Sequence, residues 1–544
     1  MFQALDKLVP KTYAAMLIYA SLYIVLVLNS HFLYKVYTAT VSTGQWNWLF
    51  LLSVPILLFC LSVIILSWLS LVTFIKPVVI LSILISAVLF YATVNYGVIF
   101  DKHMIRNMVE TDTGEALSYL NGSLLFYITV FGVIPSLILG RYKNTQSMLS
   151  RIKNWLVVNL ICVIVCGLIA SLFYQDYASV GRNNRQLGAY ITPFAFYNAA
   201  YKFLRDKYFF PPLPFQVLDK SPHSTSAPNT KSITVMVVGE TARSKNFSLN
   251  GYGKPTNAFT PSRGVKSFGN VTSCGTATAI SVPCMFSRLS RDTFNQRQAE
   301  SQENALDIIH RAGVDVLWID NNSSCKGVCA RVNNLTISPT SNDELCDGKY
   351  CFDEILLEEL KRKIANSEAD NTLIVLHMIG SHGPTYYRRY PQQHRVFTPD
   401  CPRSDIQNCS ALELENTYDN TIAYTDYVLS KIIDVLNNTD VQTKSMLYIS
   451  DHGESLGEKG LYLHGFPYSI APKEQTEVPL LYWSNQLQNT EYAGCIDKLV
   501  MQSLSHDDIF DTILGLTQVS SKLYRPELDI FRTCNSTLTV AIGK

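Results

Sequence analysis

Charge is scarce in this chain. Only 16% of its 544 residues are Asp, Glu, Lys or Arg, and the formal net charge is +1. No basic stretch with interleaved aromatics is present, so no nucleic-acid partner is expected. Cysteine is nearly missing from the first 270 residues: Cys60, Cys162 and Cys166 all lie inside apolar runs, where free thiols are expected. No small-residue cleavage site follows the first apolar run, which is also too long for a signal peptide, so it is read as a retained span. The length exceeds one ordinary domain. Apolar residues are unevenly spread: long apolar runs fill 1–175, whereas 230–544 reads like a soluble domain.

Five apolar segments, near 14–34, 48–70, 77–98, 122–140 and 154–174, reach the roughly 20 residues needed to cross a bilayer. One set of connections carries Lys7, Lys11, Lys76, Arg141, Lys143, Arg151 and Lys153; the other carries Lys35, Lys102 and Arg106. The richer side is cytoplasmic by the positive-inside rule, which puts everything after the fifth span outside. In a bacterium that space is the periplasm. The loop at 99–121 faces the same side. Its Asn107, Thr111 and Glu115 recur every four residues and would share one face of a helix, either as a solvated surface or as a lining for a lipid head group. Residues 176–231 hold aromatics with interspersed Lys and Arg, suited to a membrane interface, and then a linker rich in Pro, Ser and Lys. The domains expected are a membrane domain over 1–175, a bridging segment and linker over 176–231, and a catalytic domain over 232–544.

The remaining ten cysteines all follow residue 270: Cys274, Cys284, Cys325, Cys329, Cys346, Cys351, Cys401, Cys409, Cys495 and Cys534. Their number is even, and the first eight form four short-spaced pairs, as in a disulfide framework of an oxidising compartment. Cys325 and Cys329 could instead supply two ligands of a structural zinc. Ten thiols without a repeated ligand pattern fit bridges better.

Past residue 232, short apolar runs at 234–239, 315–319, 372–378 and 445–450 read as buried strands, with helical patterns at 303–312, 352–366 and 411–437 between them. Such alternation predicts an α/β domain with a mainly parallel sheet. Polar residues follow each strand: Glu240, then Asn321 and Asn322, then His377 and His382, then Asp451 and His452. Ligands of open α/β sheets bind beyond the carboxyl ends of the strands. Carboxylate and imidazole gathered there suit zinc, with Glu240, Asp451 and His452 as protein ligands. The hydroxyl-rich stretch from Thr272 to Cys284 offers nucleophiles, Thr276 and Thr278 among them, which a metal or base would activate. A capped polar turn is the plainer reading of that stretch. Lys326 could hold a transferring phosphate. His382 and His464 could protonate a leaving group or hold a second metal.

At these residues the sequence resembles the lipid A phosphoethanolamine transferases, a family that includes the transferable colistin-resistance enzymes and has the alkaline-phosphatase-like (sulfatase-like) α/β fold. The motifs are Val-Val-Gly-Glu-Thr-Ala-Arg (237–243), Ser-Cys-Gly-Thr-Ala-Thr-Ala-Ile-Ser-Val-Pro-Cys-Met-Phe-Ser (273–287), Ile-Gly-Ser-His-Gly-Pro-Thr-Tyr-Tyr (379–387) and Ser-Asp-His-Gly-Glu-Ser-Leu-Gly-Glu (450–458). The resemblance spans the whole chain, five spans included. It implies Thr278 as nucleophile; Glu240, Thr278, Asp451 and His452 around one zinc; and Asn322, Lys326, His382, Glu454 and His464 at the substrate or a second zinc. It also implies Asn107, Thr111 and Glu115 at the donor lipid, and disulfides 274–284, 325–329, 346–351, 401–409 and 495–534. The implied reaction has two steps. Thr278, activated by zinc, takes phosphoethanolamine from phosphatidylethanolamine, and a lipid A phosphate then takes it from Thr278, lowering the affinity of the membrane for polymyxins. The expected setting is the inner membrane, among membrane lipids, as a monomer. Ala242 and Ser324 depart from the family pattern at positions that are not proposed ligands.

Several other readings stand beside it. A phosphodiesterase of the same superfamily or a phosphoglycerol transferase would use another acceptor. A sulfatase needs a Cys/Ser-x-Pro-x-Arg nucleophile motif, which the 273–287 stretch lacks. An inactive sensor domain would not need the full ligand set.

Overall fold

A computed structural model describes residues 10–41, 47–111, 113–143, 145–227, 230–340 and 343–535, without the side chains of 113–115 and 185. The chain divides into two compact units, one of residues 1–105 with 120–207, the other of 106–119 with 208–544.

Among the described residues of the first unit, four helices are long and apolar enough to cross a membrane: Trp48–Leu69, Ile75–Tyr96, Gly122–Gly140 and Met148–Asn183. A bent pair, Tyr13–Leu28 and Ser30–Val41, which meet at 56°, makes a fifth when the two are counted as one span. The first span is therefore broken within the segment expected at 14–34. The break falls at Asn29, which is buried. Its amide Nδ2 donates to the carbonyls of Ile24 (2.9 Å) and Thr192 (2.8 Å), while its Oδ1 accepts the Thr192 N–H (2.9 Å). A side chain that satisfies backbone groups in this way makes a broken helix tolerable inside a membrane. The last helix runs 36 residues, well past the expected 154–174, and has a non-helical residue at Phe173.

The loop between Ile75–Tyr96 and Gly122–Gly140 is not one continuous helix. Lys102–Glu110 and Thr113–Ser118 are separate helices. Thr111-Asp112-Thr113-Gly114 are poor helix formers, which accounts for the interruption. Asn107 and Thr111 stay joined, because the Thr111 N–H and hydroxyl both donate to the Asn107 carbonyl (2.9 and 2.7 Å). Glu115 belongs to the second helix, and its side chain lies outside those described.

The second unit is built on an eight-stranded sheet: β1 (Ser232–Gly239), β2 (Lys266–Thr272), β3 (Asp315–Asp320), β4 (Asn333–Thr336), β5 (Asn371–His377), β6 (Thr443–Ser450), β7 (Glu477–Ser484) and β8 (Leu504–Ser505), in spatial order β8-β2-β7-β6-β1-β5-β3-β4. Only β7 runs against the rest. Strands β1 and β5 are buried along their whole length, as expected when helices cover both faces of a parallel sheet. Val238, Phe268, Trp318, Val375, Ile449 and Leu480 share one core with residues of the surrounding helices. The segment after 208 is tied to this unit: His223–Ser224 pairs with Val519–Ser520, and Gln216 N–H donates to Ser301 O (2.8 Å). Five disulfides join 274–284, 325–329, 346–351, 401–409 and 495–534, and Cys60, Cys162 and Cys166 are free thiols.

Asn29→Ala removes the amide donor to the Ile24 and Thr192 carbonyls and leaves the buried Thr192 N–H without its Asn29 acceptor. A loss of about 1–3 kcal/mol is expected, read as a lower unfolding temperature of the full chain in detergent. An unchanged transition would contradict the role given to Asn29.

Candidate functional site

The centre of the sheet determines where the polar residues gather. β1 lies between β5 and β6, so the turns after these three strands adjoin. They are stitched by backbone bonds: Asp451 N–H to Gly239 O (2.9 Å), Met378 N–H to Val238 O (3.0 Å) and Ser381 N–H to Glu240 O (3.0 Å). Thr241 has a positive φ of 60°, uncommon for a β-branched residue. It is held there from three sides. Its N–H donates to Asp451 Oδ1 (3.0 Å), its hydroxyl to Glu240 Oε1 (2.6 Å), and its carbonyl accepts the Tyr418 hydroxyl (2.7 Å).

Glu240, Asp451 and His452 are fully buried and bring their ligand atoms within 4.8 Å of one another. Thr278, the first residue of helix Thr278–Met285, points its Oγ at this group: 3.0 Å from Glu240 Oε2, 3.2 Å from Oε1 and 3.4 Å from His452 Nε2. Thr276 is turned elsewhere, its hydroxyl donating to Phe466 O (2.5 Å). Asn322, half-buried after β3, donates from Nδ2 to Glu240 Oε2 (2.8 Å) and to Met378 O (2.9 Å). The turn that carries it is held by Asp320, whose Oδ1 accepts the Asn322 N–H (2.8 Å).

A second cluster adjoins the first. His464 Nδ1 lies 2.9 Å from Glu454 Oε2, and the Tyr386 hydroxyl donates to Glu454 Oε1. The His464 ring is 4.4 Å from that of His452 and 5.5 Å from that of His382. The ligand atoms of His452, Glu454 and His464 also lie within 4.8 Å of one another.

The donor set fits a divalent cation. Asp451 Oδ2 is buried without a hydrogen-bond partner. The other His452 nitrogen, Nδ1, is 2.9 Å from Gly453 O and donates to it, which leaves Nε2 facing Glu240 and Asp451 (3.4 and 3.3 Å). The protons of this group are crowded. Burial raises Asp451 to about 7, with the Glu240 charge adding to it. Burial opposes protonation of His452, but the charges of Asp451 and Glu240 lift it to about 10. Burial also opposes ionisation of Glu240, yet its contact with His452 holds it well below the usual carboxylate range. Burial pushes Glu454 up to about 8 and His464 down to about 3. A cation at the Asp451 Oδ2–His452 Nε2 position would relieve this crowding.

Not every polar residue near a strand end joins the cluster. His377 turns into the core, with Nδ1 on Asp320 Oδ2 (3.1 Å) and its ring against Trp318. Asn321 donates to Asp353 and to Cys351 O. Lys326 is half-buried, four residues past Asn322, its ammonium donating to Ser323 Oγ (2.7 Å). Asn107 and Thr111 make no hydrogen bond to the cluster among the described residues; they lie in 106–119, which groups with the catalytic unit although it sits between two spans in sequence. Sequence reasoning gave no role to Thr241, Tyr386 or Tyr418. Tyr386 lies in the Ser-His-Gly-Pro-Thr-Tyr-Tyr motif, the one signal that pointed near it.

A membrane anchor joined to a parallel-sheet domain with acidic and imidazole groups at its strand ends defines an enzyme of the alkaline-phosphatase-like superfamily. A Sulfatase family model matches residues 232–519, and a model of Phosphoethanolamine transferase EptA/EptB matches residues 58–208. Phosphoethanolamine transferase EptA of Escherichia coli (strain K12) is 40% identical over 531 residues, 96% of each chain. Phosphatidylethanolamine transferase Mcr-1 of Escherichia coli is 35% identical over 490 residues, 87% of this chain and 89% of its own. The solved integral membrane protein lipooligosaccharide phosphoethanolamine transferase A (EptA) from Neisseria meningitidis is 37% identical, covers 96% of this chain and 99% of its own, and has a TM-score of 0.91. The chain belongs to the phosphoethanolamine transferase family.

Gly380 lets the turn after β5 approach Glu240. Its φ is +50°, and a Cβ there would lie 2.7 Å from Glu240 O. Gly380→Ala should shift Glu240 and lower transfer at least about tenfold, since sub-ångström displacement of a reacting group is costly. Native turnover in a purified Gly380→Ala chain would contradict this packing.

Proposed function

We propose that this chain moves phosphoethanolamine from phosphatidylethanolamine to a phosphate of lipid A, through a covalent intermediate on Thr278, on the periplasmic side of a bacterial inner membrane. The observation that carries this reading is the Thr278 hydroxyl, 3.0 Å from Glu240 and 3.4 Å from His452, whose Nε2 is 3.3 Å from Asp451 Oδ2. Donor and acceptor are supported by the relatives' names, a phosphatidylethanolamine transferase and a lipooligosaccharide phosphoethanolamine transferase.

Glu240, Thr278, Asp451 and His452 would hold one zinc ion, and His382 with His464 a second. Bound there, zinc lowers the pKa of a hydroxyl and stabilises negative charge gathering on a phosphate. Thr278 Oγ, relieved of its proton in the first half-reaction, bonds to phosphorus as the bond to the diacylglycerol oxygen breaks. That oxygen takes a proton as it leaves. With one zinc bound, His382 is the histidine left to deliver that proton, because His464 is held neutral by burial and oriented by Glu454; with a second zinc on His382 and His464, the proton would come from water. In the second half-reaction a lipid A phosphate oxygen bonds to phosphorus as the Thr278 bond breaks, and the threonine regains its proton. Asn322 and Lys326 would steady the transferring phosphate, and the N-terminus of helix Thr278–Met285 favours its charge. Asn107, Thr111 and Glu115 would hold the donor head group, a reading supported by the grouping of 106–119 with the catalytic unit. Each transfer adds an amine to an anionic lipid surface, which weakens its attraction for polymyxins.

Expression in a polymyxin-sensitive bacterium should add phosphoethanolamine to lipid A, seen by mass spectrometry, and raise polymyxin tolerance. Thr278→Ala should abolish both. Glu240→Ala and Asp451→Ala should lose bound zinc and activity together. Unmodified lipid A from a well-expressed native chain would sink the acceptor assignment. Full zinc and activity in both carboxylate variants would sink the ligand set.

A further inference from the structure

His506 is buried, with 1% of its surface exposed, and the transfer chemistry makes no use of it. It follows β8, which pairs in parallel with the end of β2, Leu504 beside Val271 and Ser505 beside Thr272. The two strands thus end together, one feeding Ser273, Cys274 and the helix headed by Thr278, the other feeding His506. The imidazole reaches a third strand end. Its Nδ1 accepts the Cys274 N–H (3.2 Å), and its Nε2–H donates to Ser450 O (3.0 Å), the residue before Asp451. These two bonds require the neutral Nε2–H tautomer. Ser281, one turn into the nucleophile helix, makes a parallel link. Its hydroxyl accepts the Gly275 N–H (3.2 Å), donates to Asp451 O, and lies 3.4 Å from His506 Nδ1.

We infer that His506 is a positioning residue for the nucleophile: a rigid, neutral bridge that fixes the Cys274 loop, and with it Thr278, against the strand end bearing Asp451 and His452. A histidine suits the task because its acceptor and donor nitrogens are set apart on one rigid ring. Asn places an acceptor near the Nδ1 position and Gln a donor near the Nε2 position, so each preserves only one of the two bonds. Burial pushes His506 down to about 3, so the ring neither gains nor loses a proton in the working range.

The inference rests on Thr278 as nucleophile, and the experiment keeps the two apart. The full-length chain in detergent is given a short-chain phosphatidylethanolamine with saturating lipid A as acceptor, and diacylglycerol release is followed against donor concentration and pH for native, His506→Leu, His506→Asn and His506→Gln. The Leu variant should lose up to about 10²-fold in kcat, the scale of a roughly 1 Å misplacement. Its KM, zinc content and the shape of its pH profile should match the native chain. The Asn and Gln variants should recover part of kcat. Native kcat in the Leu variant would overturn the inference. So would a loss confined to KM, a changed pH profile, a loss of zinc, or unfolding of all three variants, which would mark the ring as a core element. A native chain that releases no diacylglycerol would instead refute the nucleophile reading itself.

Discussion

A buried carboxylate oxygen with no hydrogen-bond partner, Asp451 Oδ2, 3.3 Å from His452 Nε2, is the constraint on which the catalytic unit turns. Burying two carboxylates beside one imidazole is costly, and the ordinary escape is to keep a proton, as the upward shift of Asp451 by burial and by the Glu240 charge indicates. Glu240, His452 and the Thr278 hydroxyl surround Asp451 Oδ2. The other Asp451 oxygen is fully used by the N–H groups of Thr241 and His452, so the carboxylate cannot rotate to satisfy its free side. A cation is the partner this geometry accepts, and Thr278 is the neutral group that shares its space. The central strand pairings serve this arrangement, because Asp451 N–H on Gly239 O fixes the turn after β6 against the turn after β1.

Much of this was legible in the sequence, for physical reasons that vary from residue to residue. Val-rich β1 and the Met446–Ile449 stretch of β6 are buried and read as apolar runs, so Glu240 and Asp451 could be placed at strand ends. β7 escaped notice because Pro479 sits inside it, and proline argues against a strand interior; the register shift between Val478 and Leu480 accommodates it. β2 contains Gly269 and mixed burial, and β8 is two residues long, so neither carries a usable period. Choosing between Thr276 and Thr278 was beyond residue spacing. It depends on Phe466 O, 190 positions away, taking the Thr276 hydroxyl. The four-residue spacing of Asn107, Thr111 and Glu115 pointed to one helical face, but weak helix formers between the last two end the helix after Glu110. Hydropathy located the first span and missed its break, because one asparagine hardly changes an apolar average while its amide can satisfy three backbone groups.

The disulfides and the free thiols divide along the same line as the two units. Cys60, Cys162 and Cys166 sit together among apolar side chains of the membrane unit, and all ten paired cysteines lie in the catalytic unit. The bridges brace the parts that hold polar groups. Cys274–Cys284 clamps the loop and helix that present Thr278, and Cys325–Cys329 flanks Lys326. Such a framework belongs to an oxidising compartment, in agreement with the orientation given by the lysines and arginines of the connections between spans.

The account stands on Thr278 as the residue that carries the transferred group. The direct measurement is peptide mass spectrometry of the purified full-length chain after incubation with phosphatidylethanolamine and no acceptor. The account predicts one phosphoethanolamine on Thr278, removed when lipid A is added. An adduct on Thr276 or another residue, or turnover of donor with no adduct at any time, would contradict it.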